Sequence, residues 1–182
     1  MKILINDGLH SAGIALLEKA GHQVDTNTIA QDDLLNKLNE YDAILVRSAT
    51  TVRKDLMDAA PNLKVIGRGG VGLDNIDVEY AKSKNISVFN TPAASSRSVA
   101  ELAMAHLFGI VRSLPAVNKA MSLDGVSDFK ALKKSASKGI ELQGKTLGLI
   151  GFGRIGRETA SIAIGCGMKI IAYDPYLTEG DI

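Results

Sequence analysis

Short β-branched runs separated by helical stretches set the rhythm of the first half of the chain. Apolar runs at Lys2 to Ile5, Ala43 to Val46, Val65 to Ile66 and Ile86 to Phe89 are bounded by polar residues or glycine, and a weaker run lies at Gln23 to Asp25. Runs of this kind, apolar at consecutive positions, mark strands buried on both faces of a parallel sheet. Between them Ser11 to Lys19, Asp32 to Leu38, Lys54 to Ala59 and Asp77 to Ser83 read as helices. Repeated βα order predicts a parallel sheet wrapped by helices.

After Asn90-Thr91-Pro92 the rhythm changes. Ser96 to Asn118 forms one long apolar pattern behind a serine-rich stretch that can cap a helix, which predicts a long helix at a domain boundary. Residues 122 to 143 are rich in Lys and Ser and contain Gly125 and Gly139, so they are expected to form a loop or arm. Lys145 to Ile150, Arg154 to Ile164 and Lys169 to Tyr173 then make one βαβ unit. The expected fold is α/β: a small doubly wound parallel-sheet (flavodoxin-like) domain over 1–96, followed by a truncated Rossmann dinucleotide-binding domain over 97–182. Two strands are few for a sheet of the second kind, which normally has about six. A partner chain is therefore expected to cover this half through the Ser96 to Asn118 helix and the arm, giving a homodimer or larger assembly.

Composition narrows the choice of partners. Lys and Arg number 21 against 20 Asp and Glu, so the net charge of +1 provides no long-range field to gather nucleic acid or an anionic membrane. The longest strongly apolar segment, Val99 to Val111, is interrupted by Glu101 and His106 and falls short of the roughly 20 residues that span a bilayer. The single cysteine, Cys166, rules out an intramolecular disulfide and fits a reducing compartment. The start MKILINDGL is too short in apolar residues for a signal peptide, so the expected location is cytoplasmic. No metal site is expected.

The pattern Gly-x-Gly-x-x-Gly occurs twice, at Gly67 to Gly72 and at Gly151 to Gly156. A dinucleotide site needs a strand before the glycines, a helix starting within them, and an acid closing the next strand. The second copy meets all three conditions. Gly151 allows the tight turn, Gly153 the approach of the phosphates and Gly156 the contact of helix with sheet, while Asp174 stands 18 residues after Gly156, where it would meet the adenosine ribose. A carboxylate there repels a 2′-phosphate, so NAD is favoured over NADP. The first copy is followed by a strand ending in Asn90-Thr91 without an acid, and reads instead as a turn whose amides bind a smaller anion.

Ligands collect at the carboxyl ends of parallel strands. Arg47 and Ser48 follow one strand, and Arg68 and the first glycine turn follow the next. Two guanidiniums, a hydroxyl and backbone amides suit a small substrate carrying a carboxylate and a phosphate; the competing reading is a pair of solvated loop arginines.

The segments ILVRSATTV at 44–52, GRGGVGLDNID at 67–77, NTPAASSRSVAE at 90–101 and GKTLGLIGFGRIGRE at 144–158 together resemble the D-2-hydroxyacid dehydrogenase family, and within it the phosphoglycerate dehydrogenases. The resemblance implies that Arg47, Ser48 and Arg68 hold the substrate's anionic groups, that the Gly70 and Val71 amides lie near its carboxylate, and that Arg154 and Ile155 touch the cofactor phosphates. It also implies a two-domain subunit, with residues 1–96 as a substrate-binding lid, and a dimer. Two alternatives stay open, another enzyme of the family such as a glyoxylate or hydroxypyruvate reductase, and a non-enzymatic dinucleotide-sensing module of the same fold.

Hydride transfer from a hydroxyl requires a base for its proton. The resemblance implies a histidine paired with a carboxylate, and an arginine, many tens of residues beyond the first Rossmann strands. His10 follows the first strand but no carboxylate at a recognisable spacing accompanies it, His22 sits in a Gly-His turn, and His106, in an almost wholly apolar helix, is expected to be a core or interface residue. No catalytic residue is assigned in this chain, which is expected to be the N-terminal part of such an enzyme and inactive by itself. Cys166, between two glycines, is expected to be a packing residue, and Arg97, Arg112 and Arg157 surface or interface charges.

Overall fold

The computed structural model describes residues 1–124, 128–178 and 180. The chain divides into two compact units, Met1–Ala94 and Ser95–Ile182. The first contains β1 (Lys2–Ile5), α1 (Ser11–Lys19), β2 (Gln23–Asp25), α2 (Gln31–Lys37), a 3₁₀ turn at Leu38–Glu40, β3 (Ala43–Val46), α3 (Lys54–Ala59), β4 (Val65–Arg68), α4 (Val78–Ser83) and β5 (Ser87–Asn90). All five strands are parallel, in the order β2-β1-β3-β4-β5. This is the doubly wound arrangement expected from the sequence.

Right-handed crossovers decide which face each helix covers. The step from β1 to β2 runs one way along the sheet and the later steps run the other way. α1 accordingly packs Ile14 and Leu17 onto Ile3, Ile5, Ala43, Leu45 and Val65. The opposite face sets Leu4, Ile44, Val46 and Ile66 against Leu34, Leu56, Met57 and Ala81 of α2, α3 and α4. Leu4, Leu34, Ile44 and Ile66 are wholly buried, each contributing about 1.5–3 kcal/mol relative to exposure. β4 runs two residues past the expected Ile66, because Gly67 and Arg68 continue the ladder between Leu45-Val46 and Phe89-Asn90. Gly67 lets Leu45 and Phe89 pack close to the strand: a Cβ would meet Leu45 Cδ2 at 2.5 Å and Phe89 Cζ at 2.7 Å, and both side chains would have to shift.

The second unit holds α5 (Ser96–Val111), α6 (Leu114–Asp124), α7 (Phe129–Ala136), β6 (Thr146–Ile150), α8 (Arg154–Gly165) and β7 (Lys169–Tyr173). β6 and β7 pair in parallel across α8. Met104 of α5, Ala163 of α8, Leu142 and Met168 form a small core, with Leu147, Ile170 and half-buried Cys166 packed against it. The other face of the two-stranded sheet is bare, leaving Ile150 94% and Ile171 67% exposed.

Two sequence expectations are corrected here. The single helix over Ser96 to Asn118 is broken: Ser113 takes φ 52° and α6 leaves α5 at 65°. Pro115 accounts for the break, since its ring would collide with the carbonyl four residues back and it has no N–H to donate. The stretch 122–143, expected as a loop or arm, contains α7; Lys, Leu and Ala are good helix formers, and their propensity outweighs the polar composition. Residues 125–127 of that stretch lie outside the described residues. No single helix is long and apolar enough to cross a membrane among the described residues.

Candidate functional site

In the first unit a cleft of about 350 Å³ opens at the carboxyl ends of β1, β3, β4 and β5. Leu9, Leu45 and Phe89 supply apolar surface, and His10, Arg47, Arg68 and Thr91 supply polar groups. The parallel register of β3 on β4 sets Val46 beside Arg68, so the loop that begins at Arg47 and the glycine turn after Arg68 leave the sheet as neighbours.

The Arg47 loop is tied down on two sides. Asp7, just past β1, accepts the Arg47 amide at 2.7 Å and the Thr50 amide at 3.0 Å on one carboxylate oxygen, and the Thr50 hydroxyl on the other. Burial pushes the Asp7 pKa up, but the Thr50 hydroxyl and the Thr50, Arg47 and Ala49 amides prevail and hold it below the ordinary carboxylate value. Behind Asp7, buried Asn6 donates to Thr50 Oγ1 at 2.8 Å. From the other side Asn75 Nδ2 donates to the carbonyls of Arg47, at 2.9 Å, and Thr50, at 2.6 Å. Among the described residues, nothing in the protein takes up the Arg47 guanidinium.

Arg68 is placed differently from the sequence picture of an open ligand. Its Nε donates to the Arg47 carbonyl at 3.1 Å and its Nη1 pairs with Asp74 at 2.9 Å. The Asp74 carboxyl sits below its usual range through its own amide and this guanidinium. Gly72 makes room for the pair, since a Cβ there would lie 2.8 Å from Asp74 Oδ1 and 2.9 Å from Arg68 Nη1. Only part of the Arg68 fork remains for a ligand. In the glycine turn the Gly69 amide goes to the Val46 carbonyl at 2.9 Å and the Gly70 amide to the Arg68 carbonyl at 3.0 Å. Among the described residues, that leaves Val71 and Gly72 as the turn's uncommitted amides. Ser48, Gly70 and Val71 lie beyond the lining of the cleft.

In the second unit the Gly151 turn joins β6 to α8. Gly151 has φ 95°, open to glycine at no steric cost, and its amide donates to the Tyr173 carbonyl at 2.7 Å. A Cβ on Gly156 would strike the Gly151 carbonyl oxygen, so helix and strand meet there without space for a side chain. Gly153 caps α8, and a Cβ on it would meet nothing within 4 Å, which leaves an open approach to the first-turn amides. Those amides and the helix dipole favour an anion. Arg154 and exposed Ile155 open the helix, so the turn fits a dinucleotide's phosphates.

A shallow cleft beside this turn is lined by Phe152, Gly153, Arg154, Arg157, Asp174, Tyr176 and Leu177. Asp174 accepts the Phe152 amide at 2.8 Å on one oxygen and the Tyr176 amide at 3.0 Å on the other, which keeps its carboxyl ionised and below the ordinary range. Each oxygen retains a lone pair for a ribose hydroxyl. Arg157 is exposed on α8, as the sequence led one to expect of a surface charge, and it also lines the cleft, stacks its guanidinium 4.9 Å from the Phe152 ring and places positive charge near Asp174. Its position one helical turn after Arg154 was the available signal.

His10, which lines the first cleft, also has a structural role. His10 caps α1, its Nδ1 accepting the Ala12 amide at 3.2 Å. His22 is half-buried in a turn and His106 is exposed on α5, outside the core. Arg97 ties α5 to α8 by pairing with Glu101 and Glu158, each at 3.0 Å. No group of three or more His, Cys, Asp or Glu could hold a metal ion among the described residues.

Comparison with known proteins places this geometry. Residues 3–179 match the model of the D-isomer specific 2-hydroxyacid dehydrogenase catalytic domain. The chain is 46% identical to a D-3-phosphoglycerate dehydrogenase of Methanocaldococcus jannaschii over 98% of its own length and 33% of that protein. It is also 46% identical to a hydroxypyruvate reductase of Thermotoga maritima, over 100% of this chain and 58% of that one. The crystal structure of NAD⁺-bound 3-phosphoglycerate dehydrogenase of Entamoeba histolytica superimposes with a TM-score of 0.76 at 31% identity, over 100% of this chain and 56% of that one. The chain thus spans between a third and about three fifths of the relatives it matches, and from its model match and the parallel sheet it belongs to the D-isomer specific 2-hydroxyacid dehydrogenase family.

Proposed function

We propose that the protein built on this sequence removes a hydride from C2 of D-3-phosphoglycerate with NAD as acceptor, giving 3-phosphohydroxypyruvate, a cytoplasmic step toward serine. The observation that carries the reading is the meeting of Arg47 and Arg68 at one cleft, in a chain whose second unit bears the Gly151 turn and Asp174. Residues 1–96 act as the substrate-binding domain and 97–182 as the first part of the NAD-binding domain. Arg47, Ser48 and the remaining donors of Arg68 take the substrate's anionic groups, assisted by the Val71 amide of the glycine turn, the Gly70 amide being held by the Arg68 carbonyl. Gly151, Gly153, Arg154, Ile155 and Gly156 cradle the pyrophosphate, and Asp174 takes the ribose.

NAD, when bound, supplies the hydride acceptor. The hydroxyl proton needs a base, and no residue of this chain is assigned to it. The chain alone is therefore expected to bind both ligands without turnover. It also pairs with a second copy through α5 and the segment after it, where Leu102, Ile110 and Leu114 are exposed.

A hydroxypyruvate reductase is the second reading, favoured by the Thermotoga maritima relative at the same identity. Both substrates carry a carboxylate; only one carries a phosphate. Steady-state kinetics of the longer protein with D-3-phosphoglycerate and with D-glycerate separate the two. A higher kcat/KM for D-glycerate would overturn the phosphoglycerate assignment.

A further inference from the structure

Asp7 is an acid placed beside the arginine that the proposed anion site depends on, yet it does not neutralise that arginine. Its two oxygens face the Arg47 amide, the Thr50 amide and the Thr50 hydroxyl, all belonging to the loop's own framework. Asn75 holds the carbonyls of the same two residues, and Arg68 the first of them. The polar backbone groups at both ends of the 47–50 loop are thereby satisfied inside the protein, and what remains directed outward is the Arg47 guanidinium and the Ser48 hydroxyl. A loop of four residues without these anchors would sample many conformations, and ordering it on ligand binding would cost conformational entropy.

We propose that Asp7 is the positioning residue of the anion-binding loop: from the end of β1 its carboxylate fixes Arg47 to Thr50 in the ligand-ready conformation while leaving the Arg47 guanidinium unpaired. The role rests on the anion-site reading above. It extends that site to a strand end 40 residues away in sequence, joined through the β1–β3 pairing that sets Ile5 beside Leu45. Thr50 is the intermediary, since its hydroxyl is held by both Asp7 and Asn6.

A double-mutant cycle on the 182-residue chain tests this, with D-3-phosphoglycerate titrated into wild type, Asp7→Ala, Arg47→Ala and the double variant, and amide spectra checking the fold. Asp7→Ala is expected to weaken binding about tenfold, the loss of one or two charge-assisted hydrogen bonds, with Asp7→Asn falling between it and wild type. In the Arg47→Ala background the same change is expected to add less than about twofold, because its effect runs through Arg47. Should Asp7→Ala unfold the first unit, Thr50→Val takes its place in the cycle and Thr50→Ser is the rescue. An Asp7 effect of equal size with and without Arg47, or none at all while Arg47→Ala is weakened, overturns the positioning role. Wild-type affinity in Arg47→Ala instead removes the anion-site reading, and the positioning role with it.

Discussion

Two glycines of the same turn are expected to respond to alanine in opposite ways. In Gly156→Ala the new methyl meets the Gly151 carbonyl oxygen, with the Gly151 carbonyl carbon 3.2 Å and Phe152 Cδ2 3.8 Å away. The obstructing atoms are backbone, and Gly151 has little freedom to yield: its amide is bonded to Tyr173 at 2.7 Å and its φ is 95°. Overpacking of this sort costs about 1–3 kcal/mol, taken up by lifting α8 away from β6. In Gly153→Ala the methyl meets nothing, and φ −72° suits alanine, so the loss is limited to the capping difference of about 1 kcal/mol or less. The methyl now stands where a phosphate would approach, so affinity for NAD falls while the fold holds. Urea unfolding and calorimetric NAD titration of both variants measure the two effects separately. Gly156→Ala is expected to lower the unfolding midpoint, and Gly153→Ala to keep it close to wild type and bind NAD roughly ten times more weakly, equivalent to about 1.4 kcal/mol. A Gly156→Ala chain with the wild-type midpoint would refute the steric argument, and a Gly153→Ala chain with wild-type affinity would refute the phosphate approach.

Other consequences are open to direct measurement. Arg47→Ala is expected to weaken D-3-phosphoglycerate by about 1.5–3 kcal/mol, the range for hydrogen bonds to a charged group, with NAD affinity unchanged in the same titrations. Asp174→Ala should lower the NAD-to-NADP preference, since the carboxylate that repels a 2′-phosphate is gone and Arg157 remains in the cleft; an unaltered ratio would place the ribose elsewhere. Asp7 has a folded pKa below its unfolded value of 3.8, so its stabilisation is complete above that value and disappears as pH falls through the folded one. Urea midpoints should therefore fall on acidification from about pH 5 to about pH 3, less steeply in Asp7→Asn. Light scattering should show a dimer or larger, and charged replacements at Leu102 and Ile110 should shift it toward monomer.

The sequence alone determined most of the elements and told the two glycine motifs apart, because both are written in local patterns. Consecutive apolar residues bounded by turns locate β1, β3 and β7, and the test of strand, helix start and following acid separates the two glycine motifs. The Pro115 break is legible in the proline itself within its apolar run, whereas the lysines of α7 mask a helix. Tertiary structure decided how the site is wired. Whether Arg68 stands free or pairs with Asp74 depends on a turn that folds Asp74 back past Gly72, and whether the exposed Arg157 borders the Asp174 cleft depends on the rotation of α8 over β7. The bonds from Asp7 to Arg47 and Thr50 span 40 and 43 residues and exist only because β1 and β3 are neighbours in register. Hydrogen bonds between a side chain and a distant backbone group leave no periodicity and require no particular residue at the backbone position, so only the assembled sheet reveals them.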